Sequence, residues 1–306
     1  MSDVTAATQP DISEVADWVA LLKPRVISLV VLTGLCGLLV APGHLHLTLA
    51  VAAVLCIALG AGAAGAINMW YDRDIDAVMR RTQRRPIPAG RITPGGALSY
   101  GVGLAVASVA IMGLATNWVA AGVLALSIAF YVVVYTVWLK RRTSQNIVIG
   151  GAAGAFPPVI GWAAVTGNVT LEPLLLFAII FFWTPPHFWA LSLYAHADYA
   201  KAGVPMLPVT HGARETRRQV LLYTILLVPL TLLPWAFGFS GLPYAGAAAV
   251  LGAGFLYHAV RVWRDRQDES GRSLTNDAPA RKAFRYSLGY LALLFLALVV
   301  DKLLLG

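Results

Sequence analysis

The sequence predicts an all-α, polytopic membrane protein: nine transmembrane helices in one bundle, with two polar cytoplasmic loops. Three observations predict it. Only 12% of the 306 residues are charged and 58% are hydrophobic, whereas soluble domains carry about 25% charged residues. Nine runs approach the ~20 mostly apolar residues that a span needs: roughly 26–42, 47–67, 97–115, 118–138, 147–165, 173–193, 219–238, 243–260 and 284–301. Lys and Arg are also segregated. Of 23, 22 fall in the N-terminus and the loops 68–96, 139–146, 194–218 and 261–285, leaving only Lys302 on the other side. The positive-inside rule then puts the N-terminus and all long loops in the cytoplasm, or in the matrix of a mitochondrion. A bacterial cytoplasmic (inner) membrane is the expected location. The net charge of +8 is mostly a topology signal. Basic residues spread over five segments give no support to a nucleic-acid partner.

Taken in order, residues 1–22 read as a cytoplasmic tail and 23–306 as the nine-helix domain. Asp3, Asp11, Glu14 and Asp17 argue against an Arg-rich, acid-poor transit peptide, and the first apolar run is itself span 1. Within the tail, Ile12, Val15, Trp18, Val19 and Leu22 share one side of a helix over 12–22, a membrane-lying anchor. Cys36 and Cys56 fall inside spans 1 and 2 as buried small hydrophobes. Gly60–Gly65 and Gly150–Gly154 let helices approach closely or line the place of a bulky ligand. Pro185-Pro186 in span 6 is expected to kink its helix and free backbone carbonyls, an irregularity that belongs near a cavity.

The chemistry concentrates where span 2 ends, in Asn68-Met-Trp-Tyr-Asp72-Arg-Asp74-Ile-Asp76. Asn68, Asp72 and Asp76 stand at i, i+4 and i+8, so a helix places them within one stripe and Asp74 on the opposite side. Carboxylates against a membrane are costly. Three oxygen-bearing side chains on one stripe suit a hard cation, and Mg²⁺ is the natural ion, since it takes few protein carboxylates and completes its shell with water and phosphate. Asp74 is left for a salt bridge with Arg73, Arg80 or Arg81. Arg80, Arg81, Arg84 and Arg85 suit a polyanion through guanidinium forks; alone they would be an ordinary positive-inside loop.

A second loop carries His196, Asp198 and Lys201. Asp198 binds a second Mg²⁺ or shares the first, and Lys201 meets phosphate as a point charge. The pattern of Asp, then Pro-x-Pro or Pro-x-x-Pro, then Gly and Arg occurs in both loops, as a decayed internal repeat or by chance. Lys140 follows span 4. A metal-bound diphosphate at the mouth of an apolar bundle suggests a prenyl diphosphate: tail in the bundle, head at the rim, its ionisation eased by cations and its carbocation kept from water.

These segments resemble the intramembrane aromatic prenyltransferases, through Asn68-x-x-x-Asp72-x-x-x-Asp76 and the plan of nine spans with two polar loops. Lys23-Pro24-Arg25, Arg84–Pro88, Tyr135-Thr136 with Leu139-Lys140-Arg141, Asn146–Gly151, Pro157-Pro158 with Gly161-Trp162, Thr184–Trp189 and Asp198–Pro208 are similar to the branch that farnesylates protohaem IX. The resemblance implies transfer of farnesyl from farnesyl diphosphate to the 2-vinyl group of haem B, giving haem O and diphosphate. It implies haem B and farnesyl diphosphate as substrates, Mg²⁺ as cofactor, and a haem A synthase or terminal-oxidase assembly factor as partner.

Haem needs an apolar slot and usually an axial ligand. His187, then His196, then His211 rank as haem contacts, with a buried hydrogen-bonded histidine the equal reading of His187. A prenyltransferase for a phenolic or quinone-precursor ring and a non-catalytic haem-handling protein are the rival functions.

Overall fold

In a computed structural model, residues 13–305 are described. They form helices throughout, and no strand occurs among them beyond the isolated bridge Gln267–Ser273. The order is α1 (Val15–Leu21), α2 (Pro24–Val40), α3 (Leu47–Tyr71), α4 (Arg73–Val78), α5 (Pro94–Ala115) and α6 (Trp118–Ala129), which runs on as a π-helix over Phe130–Leu139. Then follow α7 (Asn146–Ala155), α8 (Pro157–Thr166), α9 (Leu171–Tyr194), α10 (His196–Lys201), α11 (Leu207–Thr210), α12 (Gly212–Leu230), α13 (Leu233–Ala236), α14 (Leu242–Trp263) and α15 (Ala278–Leu305). Eight helical stretches are long and apolar enough to cross a membrane, and the pair α1–α2, bent by 55°, makes nine. The chain is a multi-pass membrane protein.

The surface helix expected over 12–22 forms only from Val15, and Ile12 lies outside the described residues. Its packing differs from the expected stripe. Leu21 is fully buried and Trp18 meets Tyr100 edge-on at 5.1 Å, while Val15 and Val19 stay exposed. Asp17 holds the helix down by accepting from Arg91 Nε at 2.8 Å.

Close packing explains several glycines. A Cβ on Gly161 would lie 2.1 Å from the Gly34 carbonyl oxygen, and one on Gly37 would lie 2.3 Å from that of Pro158, so α2 and α8 meet backbone to backbone. Such contact is what small residues permit between apolar helices. Pro157 and Pro158 divide span 5 into α7 and α8, Pro157 opening α8 at a position where no N–H is needed. Pro185 and Pro186 behave otherwise: α9 runs unbroken from Leu171 to Tyr194 with both inside it, so the expected kink does not interrupt the helix.

At the far end of the bundle, Asp301 of α15 is 1% exposed and accepts the backbone N–H groups of Gly241 and Tyr244 at 2.6 and 3.0 Å. It caps the start of α14 from another helix, satisfying donors that a helix N-terminus leaves over. At the opposite end, Ile75, Met79, Ile147, Tyr199, Val204 and Met206 share one apolar cluster. That cluster brings the two polar loops, far apart in the chain, to one place.

Candidate active site

The stripe survives a change of helix. α3 ends at Tyr71 and α4 begins at Arg73, with Asp72 between them at φ −86° and ψ 7°. Its N–H still donates to the Asn68 carbonyl at 2.9 Å, and the Asp76 N–H donates to the Asp72 carbonyl at 2.8 Å. Helical spacing is therefore kept through the joint, and Asn68, Asp72 and Asp76 all turn inward, 3%, 0% and 1% exposed. Asp74 turns outward, its side chain 61% exposed.

Each inward group has a cationic or polar partner. Asn68 Nδ2 donates to Asp72 Oδ2 at 2.6 Å and to Thr136 Oγ1 at 3.1 Å, while its oxygen accepts from Lys23 Nζ at 2.6 Å. Lys140 Nζ also donates to Asp72 Oδ2. Arg85 Nη1 donates to Asp76 Oδ2 at 2.6 Å. The Arg141 guanidinium lies 3.5 Å from Asp72 Oδ1 and forks onto both oxygens of Asp74 at 2.7 Å. Asp74 thus makes the ion pair expected of it, but with Arg141 rather than Arg73, Arg80 or Arg81. The reason is tertiary: the π-helix delivers residue 141 over the joint, where its guanidinium also covers the Tyr71 ring at 4.8 Å.

The two loops are joined by Arg81, which donates to the Tyr199 hydroxyl at 2.9 Å and lies over the Tyr199 ring at 5.4 Å. Asp198 is half-buried beside Tyr199 on α10, and Lys201 at the end of that helix is exposed, as are Arg80 and Arg84. Among the described residues no three His, Cys, Asp or Glu side chains converge to hold a metal ion.

The residues nevertheless fit a cation. Asp72 Oδ1 and Asp76 Oδ1 are buried and accept no hydrogen bond. A buried carboxylate oxygen that accepts no hydrogen bond is costly; Asp72 Oδ1 has only the Arg141 guanidinium at 3.5 Å, and the two oxygens lie on one stripe. Mg²⁺ asks for one or two carboxylates and takes its other ligands from phosphate and water, so a protein-only cage is not required.

The π-helix was not foreseen. Its i→i+5 winding is rare and tends to mark functional sites. Here it turns Thr136 towards Asn68 and Lys140 towards Asp72. Gly150 makes room for it, since a Cβ there would lie 2.2 Å from the Tyr135 ring. Lys23 and Arg141 are also additions to the site. Both lie in segments that carry the resemblance, Lys23-Pro24-Arg25 and Leu139-Lys140-Arg141, but as basic residues flanking spans they point to no role of their own.

His187 is 7% exposed and packed between Trp183 and Phe284, with ring centroids 4.3 and 4.6 Å away and both rings near-parallel to it. Its Nδ1 bonds Ser287 Oγ at 2.7 Å. Nε2 has no hydrogen bond among the described residues. His196 is exposed. His211 is exposed too, bonded through Nδ1 to Thr210 Oγ1 at 2.8 Å, and lines a cavity of about 170 Å³ with Gln145, Trp189, Glu215, Gln219 and Tyr223. The structure therefore does not gather the three histidines into one cluster with the carboxylates.

An all-helical membrane bundle with buried carboxylates and a collar of Lys and Arg at one end defines the class. The chain belongs to the UbiA prenyltransferase family, whose model matches residues 30–289. A relative from Granulibacter bethesdensis named protoheme IX farnesyltransferase is 67% identical over 97% of this chain and 94% of its own. One of the same name from Acidiphilium cryptum is 67% identical over 94% of this chain and 90% of its own. Among solved structures, a digeranylgeranylglyceryl phosphate synthase superposes with a TM-score of 0.75 at 17% identity, covering 94% of this chain and 98% of that one. A UbiA homolog from Archaeoglobus fulgidus bound to DMAPP and Mg²⁺ gives 0.66 at 17%, covering 93% and 99%. At such identity these two structures speak for the fold.

Proposed function

We propose that the protein transfers the farnesyl group of farnesyl diphosphate to the 2-vinyl group of protohaem IX, giving haem O and diphosphate, with water supplying the hydroxyl. The observation that carries the diphosphate half is the pair of buried oxygens on Asp72 and Asp76 that accept no hydrogen bond, set among Lys23, Arg85, Lys140 and Arg141. The acceptor half is supported by near full-length relatives named for that reaction.

Asp72 and Asp76 would hold Mg²⁺, joined by Asn68 once its oxygen exchanges Lys23 for the ion, with Asp198 reaching a second ion from the other loop. Bound there, the ion would draw charge from the leaving diphosphate. The chain's own cations do the rest. Arg80, Arg81, Arg84, Arg85 and Lys140 bind the diphosphate oxygens and stabilise the charge that develops as the allylic C–O bond breaks. Lys201 meets the same group from α10. Arg85 and Lys140 are held in readiness by Asp76 and Asp72. His187 would contact the haem iron through Nε2: the Ser287 hydroxyl donates to the Phe284 carbonyl and so accepts from Nδ1–H, the tautomer a ligating imidazole requires; His196 and His211 would contact the haem from the second loop.

The same reading places residues 23–306 in one transferase domain behind a tail of residues 1–22. The N-terminus and long loops are cytoplasmic in a bacterial inner membrane, and haem O passes to a haem A synthase or an oxidase assembly factor. The test is incubation of purified protein with haem B, farnesyl diphosphate and Mg²⁺, followed by haem mass. A farnesyl-plus-hydroxyl gain supports the reading, and an unshifted mass in metal-loaded, folded protein removes it.

A further inference from the structure

The end of the bundle opposite the carboxylates holds a cavity of about 250 Å³, whose walls include Trp162, Glu172, Phe237, Phe239 and Lys302. The chain's direction places it there. α2 and α15 run away from the carboxylate end and α9 runs towards it; the cavity takes the final stretches of the first two and the first turn of the third. Its mouth is apolar, with Leu171 and Phe237 both more than half exposed.

Two charged groups in these walls are unpaired, and a third polar group beside them is buried. Glu172 and Lys302 form no ion pair among the described residues, either with each other or with another side chain. Trp162 is 3% exposed, and its Nε1–H is buried with no acceptor. Its ring is fixed edge-on against Phe239 at 5.7 Å. A buried N–H without an acceptor is costly. The first-turn position of Glu172 in α9 suits its charge, but it accounts for neither Lys302 nor Trp162. Lys302 is also the one basic residue that the topology leaves at this end.

We propose that this cavity binds the head group of an amine-bearing zwitterionic phospholipid, of the phosphatidylethanolamine type. One cation and one anion beside an apolar mouth match that head group in chemistry. The phosphate oxygens accept from Lys302, the primary ammonium donates to Glu172, and the acyl chains lie along Leu171 and Phe237. A glycerol head group would leave Glu172 without a donor cation. A choline head group carries charge but no N–H to give it.

The test uses the full-length, delipidated protein in detergent, with dioleoyl phosphatidylethanolamine, phosphatidylglycerol or phosphatidylcholine added. Retained lipid is counted by native mass spectrometry, and melting temperature is followed alongside. The wild type should retain the ethanolamine lipid several-fold better than the other two and melt highest with it. Glu172→Gln should lose the preference over the glycerol lipid. Lys302→Gln should weaken retention of both, with Lys302→Arg restoring it. Equal retention of the three lipids by the wild type, or an undiminished preference in Glu172→Gln, overturns the proposal.

Discussion

The Lys23 ammonium donates to the Asn68 side-chain oxygen at 2.6 Å across 45 residues of chain. Lys23 stands at the bend between α1 and α2 with a left-handed backbone, φ 55° and ψ 53°. Pro24 disfavours the right-handed helical region for the residue before it. Left-handed geometry in a non-glycine residue costs on the order of 1–3 kcal/mol. The bend thus delivers a charged side chain to the end of α3 that a straight helix would carry past it.

Replacing that ammonium tests its part in binding the diphosphate. Lys23→Met should raise the KM for farnesyl diphosphate by about tenfold to a hundredfold, from the ~1.5–3 kcal/mol of a charge-assisted hydrogen bond. Lys23→Arg should keep most of the affinity. Steady-state kinetics with the prenyl diphosphate varied is the check, and an unchanged KM in Lys23→Met would refute the role.

The carboxylates should divide by the direction they face. Asp72→Asn and Asp76→Asn are expected to lower turnover by about a hundredfold or more and to weaken Mg²⁺ binding in calorimetry. Asp74→Asn should keep most of its activity, because Asp74 faces outward onto Arg141. Equal losses in the three variants would break the distinction.

Acid should act on the Asp74–Arg141 pair. The hydrogen bond from Arg141 holds the Asp74 carboxyl below the usual carboxylate range, against a smaller opposing effect of burial. A depressed folded-state pKa contributes stability above the unfolded value, near 4, that is lost as pH falls through the folded one. The pair is exposed, so the contribution is at most about 1 kcal/mol. Asp74→Asn should therefore melt lower than wild type near neutrality and converge with it in acid. A gap that widens in acid would have the wrong sign.

The α2–α8 contact can be probed by one methyl group. Gly161→Ala pushes a Cβ against the Gly34 carbonyl. Backbone cannot yield as a side chain does, so overpacking of about 1–3 kcal/mol is expected, seen as a lowered melting temperature. Gly154→Ala, with nothing within 4 Å of its Cβ, should melt like wild type and serves as the control.

What the sequence made legible was local or compositional. Asn68, Asp72 and Asp76 share a side because four-residue spacing is a property of one helix, and the outward turn of Asp74 follows from the same rotation. The spans follow from apolar length alone. Arg141 and Lys23 were not assigned because their partners lie 67 and 45 residues away, and any basic residue flanking a span looks alike until the bundle is assembled. The π winding is hidden for a related reason: Phe130–Leu139 has the composition of an ordinary span, and the close fit of Tyr135 on Gly150 appears only once the bundle is assembled. His187 was placed in the right helix, but its burial between two aromatic rings depends on Phe284 of α15, nearly 100 residues on.

That π-helix also bears on how the chain tolerates changes in length. Each of its hydrogen bonds spans one residue more than an α-helical one, so Phe130–Leu139 carries surplus chain that regular winding would not need. Removing a single residue there would allow the segment to relax into α-helix without breaking the span. The cost would fall on alignment: Thr136 and Lys140 would rotate away from Asn68 and Asp72, while hydropathy and helix content stayed as before. A one-residue gap at this place would mark a lineage whose membrane scaffold persists after its site has come apart.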